Sequence, residues 1–431
     1  MKYFINLFFF FFLSTFCFAQ DTTVQSKIKY YSEKTDKYLD KQKMLSSYYS
    51  IDKRGVSVYA SAQDKLKNNS EYFVPWHQHQ EFCKYSKEYD SRSLLKIVRD
   101  KKLDSLISTT IKNEKVEPSK NKLKGFKIAI DAGHIAGDIA MGELEKKYLD
   151  FKKDSIKGLP DSIQIAEGML TFATAKLLKE KLEAEGAEVF LTRKCNGCSA
   201  FGKTFEQWLK EDYKKTIDSL YKINEFSDEK KKWYLSSKCS KRDKFRLIFK
   251  DLDLQKRAEI INNYKPDFTV IIHFNVDETN SGWTKPGSKN FNMTFVGGAF
   301  MKSDLFSAEK RFEFLRLLLS DDLERSIALS SSVVSSFEKN LNVKTACVND
   351  ARYLVQGCLP TTEKGVFCRN LQLTRYIHSP LVYGETLYQD NISECKELNK
   401  ECDKTKNERI QQVAEAYYQG ILIYVKKLQA Q

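Results

Sequence analysis

Two histidines sit where a metal ion could be held. His134 follows the stretch Phe126-Lys127-Ile128-Ala129-Ile130-Asp131-Ala132-Gly133, and His273 closes the run Phe268-Thr269-Val270-Ile271-Ile272. Both runs are short and apolar, of the kind that a parallel sheet buries on both faces. Asp131, Ala132 and Gly133 break the first strand and deliver His134 to its carboxyl end, the edge where open α/β sheets bind ligands. The chain has five histidines, His77, His79, His134, His273 and His378, so two of them at the ends of buried strands suggest a metal site. His77 and His79 are spaced i and i+2 and share no helix face, which reads as two solvent-facing side chains. His378, just before the last strand, reads as an exposed or locally satisfied histidine.

The two strands need a sheet around them, and the pattern after residue 126 provides one. Glu167 to Glu185 is an amphipathic helix, with Leu170, Ala173, Leu177, Leu178 and Leu182 mostly three or four residues apart. Gly186 stops it, and Ala187 to Arg193 is the next strand. Residues 194–251 are rich in Lys, Tyr and Trp with little β character, and read as a helical insertion. A helix over Asp253 to Asn263 leads into the strand that ends at His273, and Met293 to Gly297 gives another strand. A helical stretch follows, clearest over Asp321 to Asn340. Gly365 to Leu373 and Pro380 to Glu385 give the last strands, and Ile410 to Leu428 a closing helix. The alternation predicts an α/β fold, with a mainly parallel central sheet covered by helices on both faces.

The residues before this region differ in character. Lys2 precedes a Phe-rich run to Leu13 and a small-residue exit ending at Ala19, the pattern of a secretory signal. The run is too short for a permanent anchor. Cys17 would mark a lipoprotein, but the bulky Phe16 stands where a small residue is wanted. Residues 20–107 read as a small α+β module, with a helix over Tyr30 to Tyr49, strands at Gly55–Ala60 and Glu71–Trp76, and a polar helix from His77 to Glu88. Residues 108–125 are polar and Lys-rich, as a linker is. Export places the chain in the periplasm or outside the cell, where disulfides form. Cys195/Cys198 and Cys395/Cys402 are the local candidates. With 71 Lys and Arg against 57 Asp and Glu among 431 residues, the net charge is +14, which favours a polyanionic partner. No zinc finger, RNA-recognition signature or basic stripe interleaved with aromatics is present, which argues against nucleic acid.

Five blocks, in order, resemble the zinc-dependent N-acetylmuramoyl-L-alanine amidases of bacteria. They are Ile130-Asp131-Ala132-Gly133-His134; Glu167 opening a helix that runs to Leu191-Thr192-Arg193; Arg257-Ala258-Glu259-Ile260-Ile261-Asn262-Asn263; Ile271-Ile272-His273-Phe274-Asn275; and Ser379-Pro380-Leu381-Val382-Tyr383-Gly384-Glu385-Thr386-Leu387 with Asn391. The resemblance covers residues 126–431. It implies that His134, Glu167 and His273 hold zinc (Zn2+) and that Glu385 is the catalytic acid/base. It also implies a peptidoglycan substrate, with an activator or wall-binding partner assigned to the N-terminal module. Two histidines and a glutamate are an established zinc set that leaves a position open for water. A carboxylate beside that water can pass its proton to the leaving nitrogen.

The sequence departs from the family at Ala132, Ile135 and the long gap from His134 to Glu167. That gap holds an acidic cluster, in which Glu143 and Glu145 read equally as substrate contacts or as a solvated face. Asp131 is expected to orient the turn and Asn275 to steady His273, while Glu385 could instead pair with Arg375. The insertion is expected to flank or cover the cleft. Two other readings stay open: a zinc metallopeptidase of the wall stem peptide, and an inactive wall-binding or regulatory protein.

Overall fold

The computed structural model describes residues 23–89, 91–103, 121–153, 162–280 and 285–430. The expected leader, Cys17 and residues 108–120 of the expected linker lie outside them. A helix over 23–34 opens the described chain and runs into a wider turn, Thr35–Leu39. It ends earlier than its composition suggests, because the Asp40 carboxylate accepts from the backbone N–H groups of Met44 and Leu45 and draws the chain out of the helix. Three short strands then form an antiparallel sheet: β1 (Tyr49–Asp52), β2 (Gly55–Val58) and β3 (Tyr72–Pro75). Helices His79–Glu88 and Ser91–Arg99 follow.

The larger region contributes β4 (Lys127–Ala132), β5 (Tyr148–Phe151), β6 (Ile163–Ala166), β7 (Glu188–Leu191), β8 (Phe268–Asn275), β9 (Met293–Val296), β10 (Cys358–Pro360), β11 (Val366–Arg369) and β12 (Leu381–Tyr388). Seven of them form one sheet in the order β10-β11-β9-β12-β8-β4-β7. The ladders joining β7, β4, β8 and β12 are parallel, as is β9 with β11, whereas β9 runs antiparallel to β12 and β10 to β11. Every residue of β8 is buried, as expected of a central strand covered on both sides. Helices Glu167–Ala184, Asp322–Leu341 and Glu408–Gln429 cover one face, and their Leu178, Val333 and Ile421 join Ile128, Val270 and Val382 in a common core. Helix Lys250–Tyr264 covers the other, where Ala258 and Ile261 meet Ala129 and Ile271. The expected fold class, α/β with a mainly parallel sheet preceded by a small α+β module, is the observed one.

The strand expected over Gly365–Leu373 is only four residues long. Thr374 Oγ1 accepts from the Leu371 N–H at 3.0 Å and starts a helical turn, Gln372–Tyr376. The β5–β6 hairpin, which the sequence did not reveal, fills the long gap between His134 and Glu167. Of the two expected cysteine pairs, Cys195–Cys198 is a disulfide. Cys395 is buried and Cys402 exposed, and both are free thiols.

The N-terminal sheet shares its core with helix Ala308–Leu319: Tyr72 and Phe82 meet the Phe312 ring. Beside that core lies a buried ionic cluster. Glu313 Oε1 accepts from Ser91 Oγ at 2.6 Å and lies 3.2 Å from His378 Nε2, while Oε2 accepts from Arg316 Nε at 2.7 Å. His378 Nδ1 faces the Ser86 carbonyl at 3.1 Å. His378 is therefore a satisfied core histidine. His77 is exposed, but His79 is not the solvent-facing residue that spacing suggested. Its ring lies against Tyr31, with the Tyr31 hydroxyl and the Leu319 carbonyl each 2.9 Å from Nε2.

Candidate metal centre

Local backbone chemistry sets the first histidine. After β4, Gly133 donates to the Ile272 carbonyl at 2.9 Å, which pins the turn to β8. A Cβ on Gly133 would come within 2.3 Å of the His273 ring, so only glycine allows the two histidines to approach. His134 itself adopts a left-handed backbone, φ 58°, which an L-residue with a side chain holds only under constraint. Two buried arginines supply that constraint. Arg257 donates to the Ala132 and His134 carbonyls at 2.8 and 2.7 Å, and Arg193 to the Ala132 carbonyl at 3.1 Å. Asp131 pairs with Arg257 at 3.2 Å and accepts from Thr192 Oγ1, so it orients the turn and stays out of the metal-side cluster.

His134, Glu167 and His273 converge: one potential ligand atom from each lies within 4.8 Å of the others. Glu167 begins its helix directly after β6, and His273 leaves the carboxyl end of β8. Glu167 Oε1 lies 3.0 Å from His273 Nδ1 and accepts from the Phe274 N–H. Its Oε2 is buried, lies 3.2 Å from His134 Nε2, and has no hydrogen-bond donor among the described residues. Lys147 Nζ lies 3.8 Å from the same oxygen, outside hydrogen-bond reach, so a cation held by the three residues would give Oε2 the partner it lacks.

The carboxylate behind His134 was the open question in the acidic cluster. Glu145 is buried, and its Oε1 takes the His134 Nδ1 hydrogen at 3.0 Å. The Ile135 and Ala136 N–H groups hold the carboxylate from its other side. Glu143 is exposed. Nδ1 of His134 is thus committed to Glu145, which leaves Nε2, turned toward Glu167, as the nitrogen that a metal would take in place of a proton.

The electrostatics agree. Burial pulls His134 toward the neutral form, but Glu167 and Glu145 override it and push its pKa up to about 9. The same burial would raise Glu145, yet His134 and the two backbone donors bring it down to about 2. Glu167 likewise lies well below the ordinary carboxylate value, against its burial, under the influence of His134 and Lys147. Both carboxylates therefore stay ionised at neutral pH beside the imidazoles, with Lys147 Nζ 3.8 Å from Glu167 Oε2 as a further positive charge. His273 is lowered to about 4, chiefly by burial. Its ring stacks on Tyr383, with centroids 4.5 Å apart and 4° between planes.

Glu385 stands opposite His273 in the β8–β12 ladder, which puts both side chains on one face of the sheet. Burial and the repulsion of Glu167 raise its pKa to about 8. Arg375 does not pair with it; its Nη1 donates to Asn370 Oδ1. Asn275 makes no hydrogen bond to His273. Its Nδ2 donates to the Tyr353 hydroxyl at 2.9 Å.

The insertion flanks this centre. Phe205, Trp208, Tyr234, Phe245 and Phe249 form an aromatic core that also includes Ile135, the residue after His134, with Met141 and Leu144 packed against it. The Cys195–Cys198 loop braces the same segment through Asn196 Nδ2, which donates to the Gly137 carbonyl at 2.9 Å.

The family model described as N-acetylmuramoyl-L-alanine amidase matches residues 128–422. Among solved structures, the CwlD amidase of Clostridioides difficile in complex with the GerS lipoprotein is 19% identical, with 70% of this chain and 100% of that chain covered and a TM-score of 0.38. The apo N-acetylmuramyl-L-alanine amidase Ami1 of Mycobacterium abscessus is 16% identical over 70% and 99% of the two chains, with a TM-score of 0.37. The amidase AmiC2 of Nostoc punctiforme is 16% identical over 72% and 99%, with a TM-score of 0.36. No curated protein matches the chain. Among the described residues, no helix is long and apolar enough to cross a membrane.

Proposed function

The chain belongs to the N-acetylmuramoyl-L-alanine amidase family, and we propose that it is an exported zinc hydrolase that cuts the amide between the lactyl group of N-acetylmuramic acid and L-alanine in peptidoglycan. The observation that supports this reading is the convergence of His134, Glu167 and His273, with the buried Glu167 Oε2 lacking a hydrogen-bond donor among the described residues. Two imidazoles and a carboxylate are a donor set suited to zinc with a position left for the reaction. His134, Glu167 and His273 would hold the ion, which would supply polarisation of the scissile carbonyl and activation of water near neutral pH.

The chain's own residues do the rest. Glu145 fixes the His134 tautomer, and Tyr383 fixes the plane of His273. Glu385 takes a proton from the attacking water at its carboxylate and hands it to the departing alanyl nitrogen. A pKa raised to about 8 suits a group that must both accept and release a proton near neutrality. The net charge of +14 suits an anionic wall polymer, and the leader-like first 19 residues suit export to it.

The test is digestion of purified wall by the wild type and by Glu385→Ala, with mass analysis of the released material. Free stem peptides beginning at L-alanine, lost in the variant, are expected. Fragments cut within the peptide would replace this reading with a metallopeptidase. Bound zinc with no product at all would leave a binding or regulatory protein.

A further inference from the structure

Arg369 ends β11 on the sheet face that carries Phe295, Tyr383 and Glu385. It is half-buried, and its guanidinium lies over two aromatic rings, 4.8 Å from the Phe295 centroid and 4.9 Å from that of Tyr353. Those rings connect it to the metal-side cluster. Phe295 lies 6.0 Å from Tyr383, which stacks on His273, and the Tyr353 hydroxyl is bonded to Asn275. Burial and Glu167 raise the Glu385 carboxyl, and the charges of Lys147 and Arg369 offset part of that rise.

The in-plane edge of Arg369 is unused, which distinguishes it from four other arginines with short contacts to acids. Arg257, Arg311, Arg316 and Arg409 each engage a carboxylate. Among the described residues, the guanidinium of Arg369 makes neither a hydrogen bond nor an ion pair. Aromatic contact occupies its π faces but leaves its N–H groups free in the plane, and a planar carboxylate accepts two of them side by side. A cation preorganised in this way, on the sheet face that carries the proposed acid/base, is a receptor for an anion on the substrate.

The chemistry of the substrate says which anion. The lactyl carboxylate of the muramic acid is consumed in the scissile amide and the N-acetylated sugars are neutral, so the ionised groups near the cut are carboxylates of the stem peptide. We propose that Arg369, held by Phe295 and Tyr353, is a carboxylate-binding subsite that takes the stem peptide and sets the direction in which the substrate lies. The peptide then runs over β9 and β11, and the glycan is left to the side of β4. This inference rests on the amidase reading.

The experiment compares the zinc-loaded full chain on two synthetic muramoyl peptides, one with free stem-peptide carboxylates and one with those groups converted to carboxamides. The wild type is expected to show a KM about ten-fold or more lower for the free acid, with kcat changed less than about two-fold. Arg369→Met, which keeps the bulk between the rings, should raise KM for the free acid to the level of the carboxamide. Arg369→Lys should recover part of the preference. Equal KM values for the two peptides in the wild type overturn the subsite without calling on any variant, as does an undiminished preference in Arg369→Met, and both leave the amidase reading standing. Failure of the wild type to cleave either peptide removes the amidase reading and the subsite with it.

Discussion

The molecule holds two buried groups of histidine and glutamate, and they are built to opposite ends. Around Glu313, both carboxylate oxygens are met: Ser91 and His378 at one, Arg316 at the other. Arg316 in turn reaches Asp322 and the Arg375 carbonyl, so its charge is shared within the protein. Around Glu167 the count stays open: His273 faces Oε1, while Oε2, which His134 faces, lacks a hydrogen-bond donor among the described residues. The same residue types make a seam in one place and a candidate metal centre in the other. Burial does not separate them, since both glutamates are inaccessible. The number of protein donors left over does.

The comparison can be broken most severely at Glu167. Glu167→Gln should lose wall-digesting activity by roughly a thousand-fold or more, since a ligand and the charge that draws the cation go together. Added zinc should raise the melting temperature of the wild type and fail to raise that of the variant, which a thermal scan with and without the metal would show. If zinc stabilises both proteins equally, Glu167 is as closed a residue as Glu313. The reciprocal change, Glu313→Ala, leaves Arg316 buried without one of its carboxylates and should cost about 3–5 kcal/mol of stability in a denaturant titration. The zinc content of the folded fraction should not change.

A smaller effect is expected from Glu145→Gln. The amide keeps an oxygen for His134 Nδ1 but removes the charge, and zinc affinity should fall by roughly 10–100-fold, measured by competition with a chelating dye. Unchanged affinity would show that the backbone donors at Ile135 and Ala136 are all that Glu145 serves. The smallest effect is a pH dependence at the seam. Glu313 is held down to about 2, against its burial, by His378 and Arg316. A carboxyl depressed in the folded state stabilises fully above its unfolded value near 4.5 and loses that contribution as pH falls through about 2. The gap in melting temperature between wild type and Glu313→Gln should therefore narrow as pH is lowered from 4.5 to 2.

How much of this could be read in the sequence follows the range of each interaction. The strands β4, β8 and β12 were legible because a strand buried on both faces needs an unbroken apolar run, and Ile128–Ile130, Val270–Ile272 and Leu381–Val382 supply it. The side chains His134, Glu167, His273 and Glu385 were legible as residues at the ends of such elements and in family-like blocks. Glu145 was not resolved from Glu143. Which of the two turns inward depends on the left-handed Lys146 that ends their helix and on the hairpin after it, and neither leaves a periodic signal. Arg257 lay inside a recognised block, but its target, the Ala132 carbonyl, is 125 residues away along the chain. Arg369 gave no signal at all, because an arginine without a partner looks like any surface cation until the rings of Phe295 and Tyr353 close on it. His79 was misread for a related reason. Its helix begins at His79 itself, leaving His77 in the preceding turn, so the spacing rule for a shared helix did not apply.

One contact described above changes how the insertion should be regarded. Ile135, 1% exposed, belongs to the aromatic core of the inserted helices although it directly follows His134 in the chain. Cutting out residues 194–251 would strip that side chain of its cover, at roughly 1.5–3 kcal/mol, directly beside the left-handed residue that Arg257 holds. The helices of residues 194–251 thus double as the roof over one side of the histidine turn, and a change in their aromatic interior is felt at Ile135.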